Sequence, residues 1–581
     1  MPKRWQIAPP APPSHLARFP DLPPLIVQVL YNRGISTPQD VRDFLAGRFA
    51  PDNPFRLKGM GEAVTRLRRA IRAGEPIAVY GDFDADGVTA TALLAQTLAA
   101  LGATVYPYIP HRVKEGYGLN IGALRDLAAQ GVRVVVTVDC GIRSVEEVRY
   151  GQELGLDIIV TDHHSVGEEL PPALAAIDPK QPDCPYPFKD LAGVGLAFKL
   201  AQALLRTNRQ VPIRKKRNLH GLSQKTKELE VALDEEDLLD LVALGTVADL
   251  APLLGENRAL VMRGLEKLNA PQRPGLRAMI AQAGLRPGEI TTTSIGYVLG
   301  PRLNAAGRLD DAMVSYNLLT TPSAAEAESL AQELEERNRE RQRLTLEMLE
   351  RARRQVLALA EERLFFIAAE DFLAGIVGLV ASRLTEEFYR PTVVVEMGPE
   401  ESRGSCRSIP EFNITAALDQ CRDLLIRHGG HAAAAGFTVA TANLKSLQRR
   451  LQEIAEEELS GLELIPTLFV DAEVDLAELD WATQAHLAKL EPCGYANPTP
   501  LFLSRRVAVR DARAVGTNAR HLKLTLSDGR TIWDAIAFQQ GQWADKVPRH
   551  VDIVYSLEVH EWGGERRLQL NVKDLRPSDA A

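Results

Sequence analysis

Three aspartates alternate along a short stretch of the chain. Asp82, Asp84 and Asp86 follow directly after the apolar segment Pro76–Tyr80. Carboxylates this close together are costly to bury unless a cation binds them. The loop of a calcium-binding EF-hand opens in a similar way, but it follows a helix and carries a glutamate at its twelfth position, where this chain has Leu93. The spacing therefore predicts a metal site of another kind.

Two other apolar segments also end in side chains that bind metals. Asp139 follows the β-branched segment Val132–Val138, and the sequence Asp-His-His at 162–164 follows Asp157–Val160. Asp249 lies in a further apolar segment that could cover such a site. Carboxylate and imidazole ligands without thiolates suit Mn²⁺ or Mg²⁺ better than a structural zinc ion. These ligands exceed the needs of one ion, so the pattern predicts two ions that hydrolyse a phosphoester or a phosphoanhydride.

Alternating strands and helices are predicted to bring these side chains together. The predicted strands are Pro76–Tyr80, Thr104–Ile109, Val132–Val138, Asp157–Val160 and Ala173–Ile177. Helical segments lie between them, which is typical of a mainly parallel sheet covered on both faces. The carboxyl ends of parallel strands meet at one edge of a sheet, where ligands bind. We therefore expect the acidic and histidine side chains to converge at that edge.

The same residues resemble the motifs of a known enzyme family. Motifs of the DHH phosphoesterases are matched by Asp84-x-Asp86, Asp139, Asp162-His163-His164 and Asp249. Motifs of the RecJ branch are matched by G-P-R-L-N-A-A-G-R at 300–308, S-C-R-S at 405–408 and G-G-H-A at 429–432. The resemblance covers nearly the whole chain and keeps the motif order. It implies 5′-to-3′ hydrolysis of single-stranded DNA to 5′-mononucleotides in recombination and repair, with two Mn²⁺ or Mg²⁺ ions.

Carried over residue by residue, the resemblance implies catalytic and metal-binding roles. The implied metal ligands are Asp82, Asp84, Asp86, Asp139, His163 and Asp249. Among them Asp139 is expected to bridge the two ions. His164 is counted with the catalytic residues, although His164 and Asp82 could instead orient the ligands. Asp162 is left between these two roles.

Residues within or near the RecJ-like motifs are expected to bind DNA. The predicted substrate-binding residues are Arg112, Arg302, Asn304, Arg308, Ser405, Arg407 and His431. Glycine and serine around the arginines would let backbone N–H groups approach a phosphate as well. We expect Ser405 and Arg407 to hold a 5′-terminal phosphate. The basic stretch 206–227 is interpreted either as an insertion that contacts DNA or as a solvated segment.

The chain is expected to fold as an α/β protein with an additional β-barrel. The predicted parts are a helical preface (1–70), a parallel-sheet DHH domain (71–270), a linker with a long bridging helix (271–363), a second α/β domain of the DHH-associated type (364–460) and an OB-fold-like barrel (466–576). The long helix is predicted to begin with Ser323 as N-cap and Glu326 completing a capping box. Its polar middle favours a bridge between two bodies over a coiled-coil dimer.

Two finer expectations concern the later domains. Ile414–Arg427 is predicted to be a helix of the second α/β domain. In the barrel, Trp533 and Trp562 are candidates either for stacking on bases or for the core, because OB-folds commonly bind single strands.

Composition limits the class of protein. The 581-residue chain has a formal net charge of −8, which disfavours a generally basic surface, although local charge decides nucleic-acid binding. Its five cysteines form no C-x-x-C pair. No apolar stretch reaches the roughly 20 residues that cross a bilayer. We therefore expect a cytoplasmic protein without membrane contact, and the resemblance suggests single-strand binding protein and a recombination helicase as partners besides single-stranded DNA.

Two alternative functions remain open from the sequence. One is a DHH phosphoesterase that acts on pyrophosphate or on short oligonucleotides; the barrel and the long spacer argue against it. The other is a non-catalytic single-strand-binding relative that has lost its metals. The complete set of ligand positions argues against that alternative, because drift would leave gaps.

Overall fold

The structure is a computed structural model that describes residues 3–49, 53–112, 114–211, 214–215, 227–228, 233–359, 362–562 and 564–578. The chain divides into two compact units. One contains residues 50–464, and the other combines residues 1–49 with residues 465–581. None of the described helices is both long enough and apolar enough to cross a bilayer.

A five-stranded parallel sheet forms the centre of the first α/β domain. Its strands, in spatial order, are Val105–Tyr108, Ile77–Gly81, Val134–Val138, Asp157–Thr161 and Ala175–Ile177. The predicted strands and their parallel arrangement are confirmed. Every residue of Ile77–Gly81 and Val134–Val138 is buried, as expected for strands covered on both faces.

Helices cover both faces of this sheet. They are Met60–Ala73, Ala85–Ala100, Ile121–Ala129, Val145–Glu153 and Gly193–Gln210. Three further helices, Leu239–Ala248, Gly255–Asn269 and Pro274–Gln282, pack on other helices farther from the sheet. Val79 and Val136 pack into one core, while Ala78 and Val135 pack into the other. The chain passes from Ile77–Gly81 outward to an edge strand and then returns to the other side. The strand order therefore reverses beside Ile77–Gly81, which opens a crevice at the carboxyl ends of the central strands.

Several helices lead from this domain to the next. They are Thr292–Ser294, a π-helical turn at Ile295–Leu299, Gly300–Leu309, Met313–Thr320 and the 35-residue helix Ala324–Ala358. Leu334 of the long helix packs in the core of the first domain, and Val356 packs against the second α/β domain. The predicted bridging helix is therefore confirmed.

The start of the long helix differs in one detail from the prediction. Ser323 caps it by accepting a hydrogen bond from the backbone N–H of Glu326, as predicted. The Glu326 carboxylate, however, accepts a hydrogen bond from the Thr321 hydroxyl, so the predicted capping box is wrong. The Thr321 hydroxyl, rather than the backbone N–H of Ser323, donates to this carboxylate.

The second α/β domain has a mixed five-stranded sheet. Its strands, in spatial order, are Leu425–His431, Ala434–Ala440, Glu401–Arg407, Thr392–Glu396 and Phe365–Ala369. Its helices are Ala374–Phe388, Ile414–Asp419 and Leu444–Leu459. The predicted helix Ile414–Arg427 is wrong because it ends at Asp419, and Leu425–His431 forms the edge strand instead. Backbone pairing with Ala434–Ala440 outweighs the local helical pattern.

The other unit is a β-barrel that includes both ends of the chain. Its strands are Ala472–Glu473, Phe502–Val515, His521–Ser527, Ile532–Ala537, Glu565–Pro577 and His550–Trp562, and pairing of Phe502–Val515 with His550–Trp562 closes the barrel. A parallel pair, Arg4–Ile7 with Thr467–Val470, joins the N-terminal segment to the start of the C-terminal segment. The helices are Pro13–Leu16, Pro24–Asn32, Pro38–Leu45 and Trp481–Leu487. The predicted barrel is confirmed.

The structure also bears on the predicted N-terminal preface and on the two tryptophans of the barrel. The predicted preface at 1–70 is mostly helical, but it is not one part: the segment up to Phe49 belongs to the barrel unit, where Ile26 and Leu30 pack with Phe502, and Met60–Ala73 packs in the first α/β domain. Trp533 is buried in the same core, so it is not a stacking surface. The side chain of Trp562 lies outside the described part of the structure.

Candidate metal centre and phosphate-binding cluster

The first group of aspartates lies where strand Ile77–Gly81 turns into helix Ala85–Ala100. Asp84 caps this helix by accepting hydrogen bonds from two backbone N–H groups of its first turn, at 2.9 and 3.1 Å. The carboxylate of Asp86 accepts hydrogen bonds from the N–H groups of Gly193 and Val194, at 2.7 and 2.8 Å. Two helix N-termini thus position these carboxylates.

Residues at the ends of the next two strands complete the group. Asp139 has a positive φ of 62°, and its Oδ1 lies 3.0 Å from Nε2 of His163. The same nitrogen lies 3.9 Å from Oδ2 of Asp86 and 3.8 Å from Oδ2 of Asp249. Asp249 ends the helix Leu239–Ala248. The expected convergence of these side chains is therefore observed.

Asp162 fixes the positions of His163 and His164 through hydrogen bonds. It accepts hydrogen bonds from the backbone N–H groups of His163, His164 and Ile142, at 2.8, 3.1 and 2.9 Å, and it pairs with Nδ1 of His164 at 2.7 Å. Burial alone would raise the pKa of Asp162, but the bond from His164 and the other donors lower this pKa to about 2. Asp162 is therefore suited to orienting the histidines rather than to binding a metal.

The ligand atoms fall into groups of the size that one cation needs. Within each group the atoms lie within 4.8 Å of one another, and the groups are Asp86–His163–Asp249, Asp82–Asp84–Asp139 and Asp139–His163–His164. Asp139 is shared by the last two groups, and its contact with His163 links it to the first. This arrangement fits two divalent ions with Asp139 between them.

Three buried ligand atoms need a partner that the protein does not provide. Oδ1 of Asp82, Oδ1 of Asp139 and Nε2 of His163 have no hydrogen-bond partner among the described residues, because the last two atoms, although 3.0 Å apart, do not form a hydrogen bond with each other. Buried polar atoms are rarely left in this state in folded proteins. Cations would satisfy all three, which supports a metal centre on structural grounds.

Electrostatics point in the same direction. Burial and the neighbouring carboxylates raise the pKa values of Asp82, Asp139 and Asp249 well above the ordinary range, and that of Asp86 to about 7. Burial and the nearby His164 lower the pKa of His163 to about 3. Ionising five neighbouring buried carboxyl groups is electrostatically unfavourable, and bound divalent ions would stabilise the ionised forms.

A cluster of arginines lies beside the Asp82–Asp84 end of this group. Burial and then the charges of Arg112, Arg341 and Arg407 lower the pKa of Arg308 to about 9. Burial lowers the pKa of Arg112, and the charges of Asp82 and Asp84 oppose that effect. Within the described residues none of these four arginines forms an ion pair with a carboxylate. Four guanidinium groups without a carboxylate partner suit the binding of an anion, and we call them the arginine cluster.

The second α/β domain closes around the arginine cluster. Nη1 of Arg407 donates to Oγ of Ser405 at 3.3 Å and to the carbonyl of Cys406 at 2.8 Å. Nη1 of Arg308 donates to the carbonyl of Gly375 at 3.2 Å, in the first turn of helix Ala374–Phe388. A Cβ atom on Gly378 would lie only 2.9 Å from Oγ of Ser405. Glycine thus lets this helix approach the predicted phosphate-binding motif closely.

Arg341 was missed by sequence reasoning. It lies in the polar middle of the long helix, which is predicted to bridge two bodies, and the neighbouring Asn338 and Glu335 are buried. Nη2 of Arg341 donates to Oδ1 of Asn338 at 2.9 Å. A polar segment can therefore be polar because it faces a charged site, and the asparagine between charged residues was the available signal.

Two predicted substrate-binding residues have structural contacts instead. Nε of Arg302 donates to Glu335 at 2.8 Å, and its Nη1 donates to the carbonyl of Val298. Oδ1 of Asn304 accepts a hydrogen bond from the N–H of Ala85 at 2.8 Å, which fixes the start of the helix after Asp84. These contacts hold both residues in place within the protein, and their contact with DNA stays a prediction.

A cleft of about 660 Å³ opens between the two α/β domains at the other end of the metal-ligand group. Its first wall includes Tyr117, Arg143 and His164, and its second wall includes Arg427 and the predicted His431. Burial and the charges of His164, Lys180 and Arg143 lower the pKa of His431, which shows that it faces the first wall. The arginine cluster and this cleft therefore flank the metal ligands on different sides.

The basic stretch 206–227 is only partly described. Arg206 pairs with Glu235 at 2.8 Å and Arg209 pairs with Asp234 at 3.0 Å. Most of residues 212–232 lie outside the described residues, so the DNA-contact interpretation stays a prediction.

Comparison with known proteins gives matches along most of the chain. Sequence models match the DHH family N-terminal domain at 76–246, the DHHA1 domain at 361–457 and the RecJ OB domain at 470–574. A Bacillus subtilis protein called single-stranded-DNA-specific exonuclease RecJ is 39% identical over 562 residues, covering 96% of this chain and 68% of that protein. The Escherichia coli protein of the same name is 36% identical over 581 residues, covering 96% of each chain.

Solved structures agree with these matches. The crystal structure of RecJ with Mn²⁺ from Thermus thermophilus covers 99% of this chain and 80% of that chain, with a TM-score of 0.83 and 32% identity. Its Mg²⁺ complex has a TM-score of 0.77 and 30% identity, and it covers 99% of this chain and 79% of that one.

Proposed function

The chain belongs to the RecJ family, and from this membership and the geometry of its site we propose that it is a metal-dependent exonuclease that degrades single-stranded DNA from the 5′ end to 5′-mononucleotides. The observation that carries the proposal is the buried group of aspartates and histidines with three unpartnered ligand atoms. The relatives are named as single-stranded-DNA-specific exonucleases, and related structures contain Mn²⁺ or Mg²⁺.

Each ligand residue has a specific task in this proposal. Asp86, His163 and Asp249 would hold one ion, Asp82 and Asp84 would hold the other, and Asp139 would contribute to both sites. When bound, the two ions supply an activated water and neutralise charge on the scissile phosphate. Asp162 keeps His163 and His164 in place through its hydrogen bonds.

The arginine cluster and the cleft give the strand its direction. A 5′-terminal phosphate carries more charge and more free oxygens than an internal one, so it suits the arginine cluster. The next phosphodiester then lies at the metal ligands, and the remaining strand leaves through the cleft lined by Arg143, Arg427 and His431. Hydrolysis breaks the bond between phosphorus and the 3′ oxygen of the terminal nucleotide. The released product is a 5′-mononucleotide, and the phosphate stays on the shortened strand.

Digestion of end-labelled oligonucleotides tests this proposal. With Mn²⁺, a 5′-labelled strand should release labelled mononucleotide at once, whereas a 3′-labelled strand should shorten gradually. Asp139→Ala should abolish both signals, and Asp183→Ala, which changes an exposed carboxylate paired with Lys58, should not. Undiminished turnover by Asp139→Ala would contradict the proposed metal-dependent mechanism.

The two alternative functions have weaker support. A small substrate such as pyrophosphate requires no single-strand-binding barrel, yet a RecJ OB domain model matches residues 470–574. A non-catalytic binding protein would have no need for ligand atoms buried without partners. Equal activity on pyrophosphate and on a long strand would favour the first alternative.

The cellular setting is also part of the proposal. A role in DNA recombination and repair, with single-strand binding protein and a recombination helicase as partners, is supported by the family alone. A cytoplasmic location is supported by the five cysteines, which are all free. Co-purification with a single-strand binding protein would test the first partner.

A further inference from the structure

Lys180 lies beside the metal ligands, three residues beyond the last strand of the first sheet, Ala175–Ile177. Its backbone N–H donates to Oδ1 of the buried Asp178 at 2.7 Å. Its Nζ donates to the backbone carbonyl of His163. Both ends of the lysine are thus fixed, so its ammonium group has a defined position next to a metal ligand.

The electrostatic neighbours of Lys180 show where that position is. Burial and neighbouring acids raise the pKa of Asp249, and the charge of Lys180 acts against them. Burial and the charges of His164 and Lys180 lower the pKa of His431. The charge of Lys180 therefore acts both on a metal ligand of the first domain and on the histidine on the opposite wall of the cleft.

No carboxylate neutralises this charge directly. Within the described residues no carboxylate oxygen lies within 4.0 Å of Nζ of Lys180, whereas Lys58 pairs with Asp183 and Lys199 pairs with Glu256. An ammonium group has three hydrogens, of which the His163 carbonyl takes one. Lys180 is also only partly buried. Among the described residues its other two N–H donors are therefore available to an anion bound at the metal ligands.

The charge balance of the centre explains why such a group is needed. The ionised side chains of Asp82, Asp84, Asp86, Asp139 and Asp249 carry five negative charges. Two divalent ions would bring four positive charges, which leaves a balance of minus one before any substrate arrives. A phosphodiester adds another negative charge, so a fixed cation on the substrate side reduces repulsion where charge develops during hydrolysis.

We propose that Nζ of Lys180 binds a non-bridging oxygen of the scissile phosphate and that Lys180 is a catalytic residue in addition to the metal ligands. This inference rests on the proposed phosphodiester hydrolysis. It differs from a purely structural role, in which Lys180 would only hold the His163 carbonyl and thereby the metal.

Three variants separate these roles. Lys180→Met removes the charge, and Lys180→Arg keeps it. Lys189→Met is the matched control, because Nζ of Lys189 donates to the carbonyl of Cys184 at 2.7 Å, the same kind of bond in the same segment of the chain. Mn²⁺ binding to the metal-free proteins is measured by calorimetry, and kcat and KM are measured on a 5′-phosphorylated oligonucleotide.

If the proposal is right, Lys180→Met should lower kcat without weakening Mn²⁺ binding. Lys180→Met should lower kcat by about 100-fold, as loss of one donor to a developing charge does, and Lys180→Arg should recover much of that loss. Mn²⁺ should bind Lys180→Met as tightly as wild type or more tightly, because a cation next to the ligands has been removed. Lys189→Met should match wild type in both measurements. Unchanged kcat in Lys180→Met, or a loss of kcat that saturating Mn²⁺ restores, overturns the proposal.

A binding experiment tests the phosphate contact without hydrolysis. With Ca²⁺ in place of Mn²⁺, Lys180→Met should bind a 5′-phosphorylated dinucleotide more weakly than wild type does. For the same dinucleotide with an uncharged methylphosphonate linkage, Lys180→Met and wild type should have the same affinity. Equal losses for both dinucleotides would overturn the contact with the scissile phosphate. If the wild type binds both dinucleotides but releases no nucleotide with Mn²⁺, the proposed exonuclease function fails. The affinities of wild type and Lys180→Met for the two dinucleotides still decide whether Lys180 contacts the phosphate.

Discussion

Replacement of Arg407 by alanine tests how the strand end is held. Nη1 of this arginine donates to Ser405 and to the carbonyl of Cys406, so within the described residues Nε and Nη2 remain as donors for a phosphate. A charge-assisted hydrogen bond contributes roughly 1.5–3 kcal/mol, which corresponds to about 10- to 150-fold in an equilibrium or rate ratio. We expect kcat/KM on 5′-phosphorylated strands to fall by a factor in that range.

The assay compares two kinds of strand end. A 5′-hydroxyl strand lacks the terminal phosphate, so Arg407→Ala should slow its digestion far less, and the preference for phosphorylated ends should shrink. Arg407→Lys should fall between wild type and Arg407→Ala, because it keeps the charge without the planar fork. Arg422→Ala, which changes an exposed arginine of the same domain, is the control. A common factor for both strand types would show that Arg407 is an ordinary backbone contact or a structural residue.

The arginine cluster also predicts a thermal effect that needs no turnover. The guanidinium groups of Arg112, Arg341 and Arg407 contribute to the lowered pKa of Arg308, so they repel one another when no anion is bound. Sulfate should therefore raise the Tm of the wild type more than that of Arg407→Ala. An equal rise in both proteins would contradict an anion site at this cluster.

Three further predictions concern the rest of the molecule. Asp162→Asn should weaken Mn²⁺ binding by about 10- to 100-fold, because it removes the charged acceptor that orients His163 and His164; unchanged affinity in a calorimetric titration would contradict this. In metal-free protein the folded state keeps protons on carboxyls such as Asp86, with a pKa of about 7, that the unfolded chain releases near pH 4. The free energy of unfolding in EDTA should therefore fall as pH rises through that window, and Mn²⁺ should raise Tm more at the upper end than at the lower; a flat profile would refute the assignment. Residues 50–464 alone should digest a very short oligonucleotide at a rate close to that of the full chain but bind a long strand at least about tenfold more weakly, since stacking contributes roughly 1–3 kcal/mol per base; equal affinity for the long strand would show that the barrel has another role.

The first sheet and its acidic edge could be predicted because local sequence and tertiary structure agree there. Val134–Val138 is a run of β-branched residues that only a buried strand accommodates well, and Asp139 follows it directly. The convergence of the ligands then follows from the parallel arrangement alone. The specific roles inside the group could not be read in this way: Asp162 belongs to the same motif as His163, yet only its hydrogen bonds reveal that it orients rather than binds.

Other features depend on contacts between distant segments. Arg341 is separated by 33 positions from Arg308 in sequence, and only the nearby Asn338 distinguishes its local pattern from that of a solvated arginine. Arg302 shows the reverse case, because it lies in a phosphate-binding motif but is engaged by Glu335 of the long helix. Periodicity reports which face of a helix is apolar, and it carries no information about which polar face meets a charged site.

The pairing of Arg4–Ile7 with Thr467–Val470 has a consequence for how the chain is synthesised. Residues 1–49 leave the ribosome long before their partners, because the whole of residues 50–464 must be translated first. Phe19, Ile26 and Leu30, which are buried in the finished barrel, have no native core to join during that interval. The barrel is therefore expected to be the last part to fold, and a circularly permuted chain that starts at residue 50 and links the original ends should form it sooner after translation.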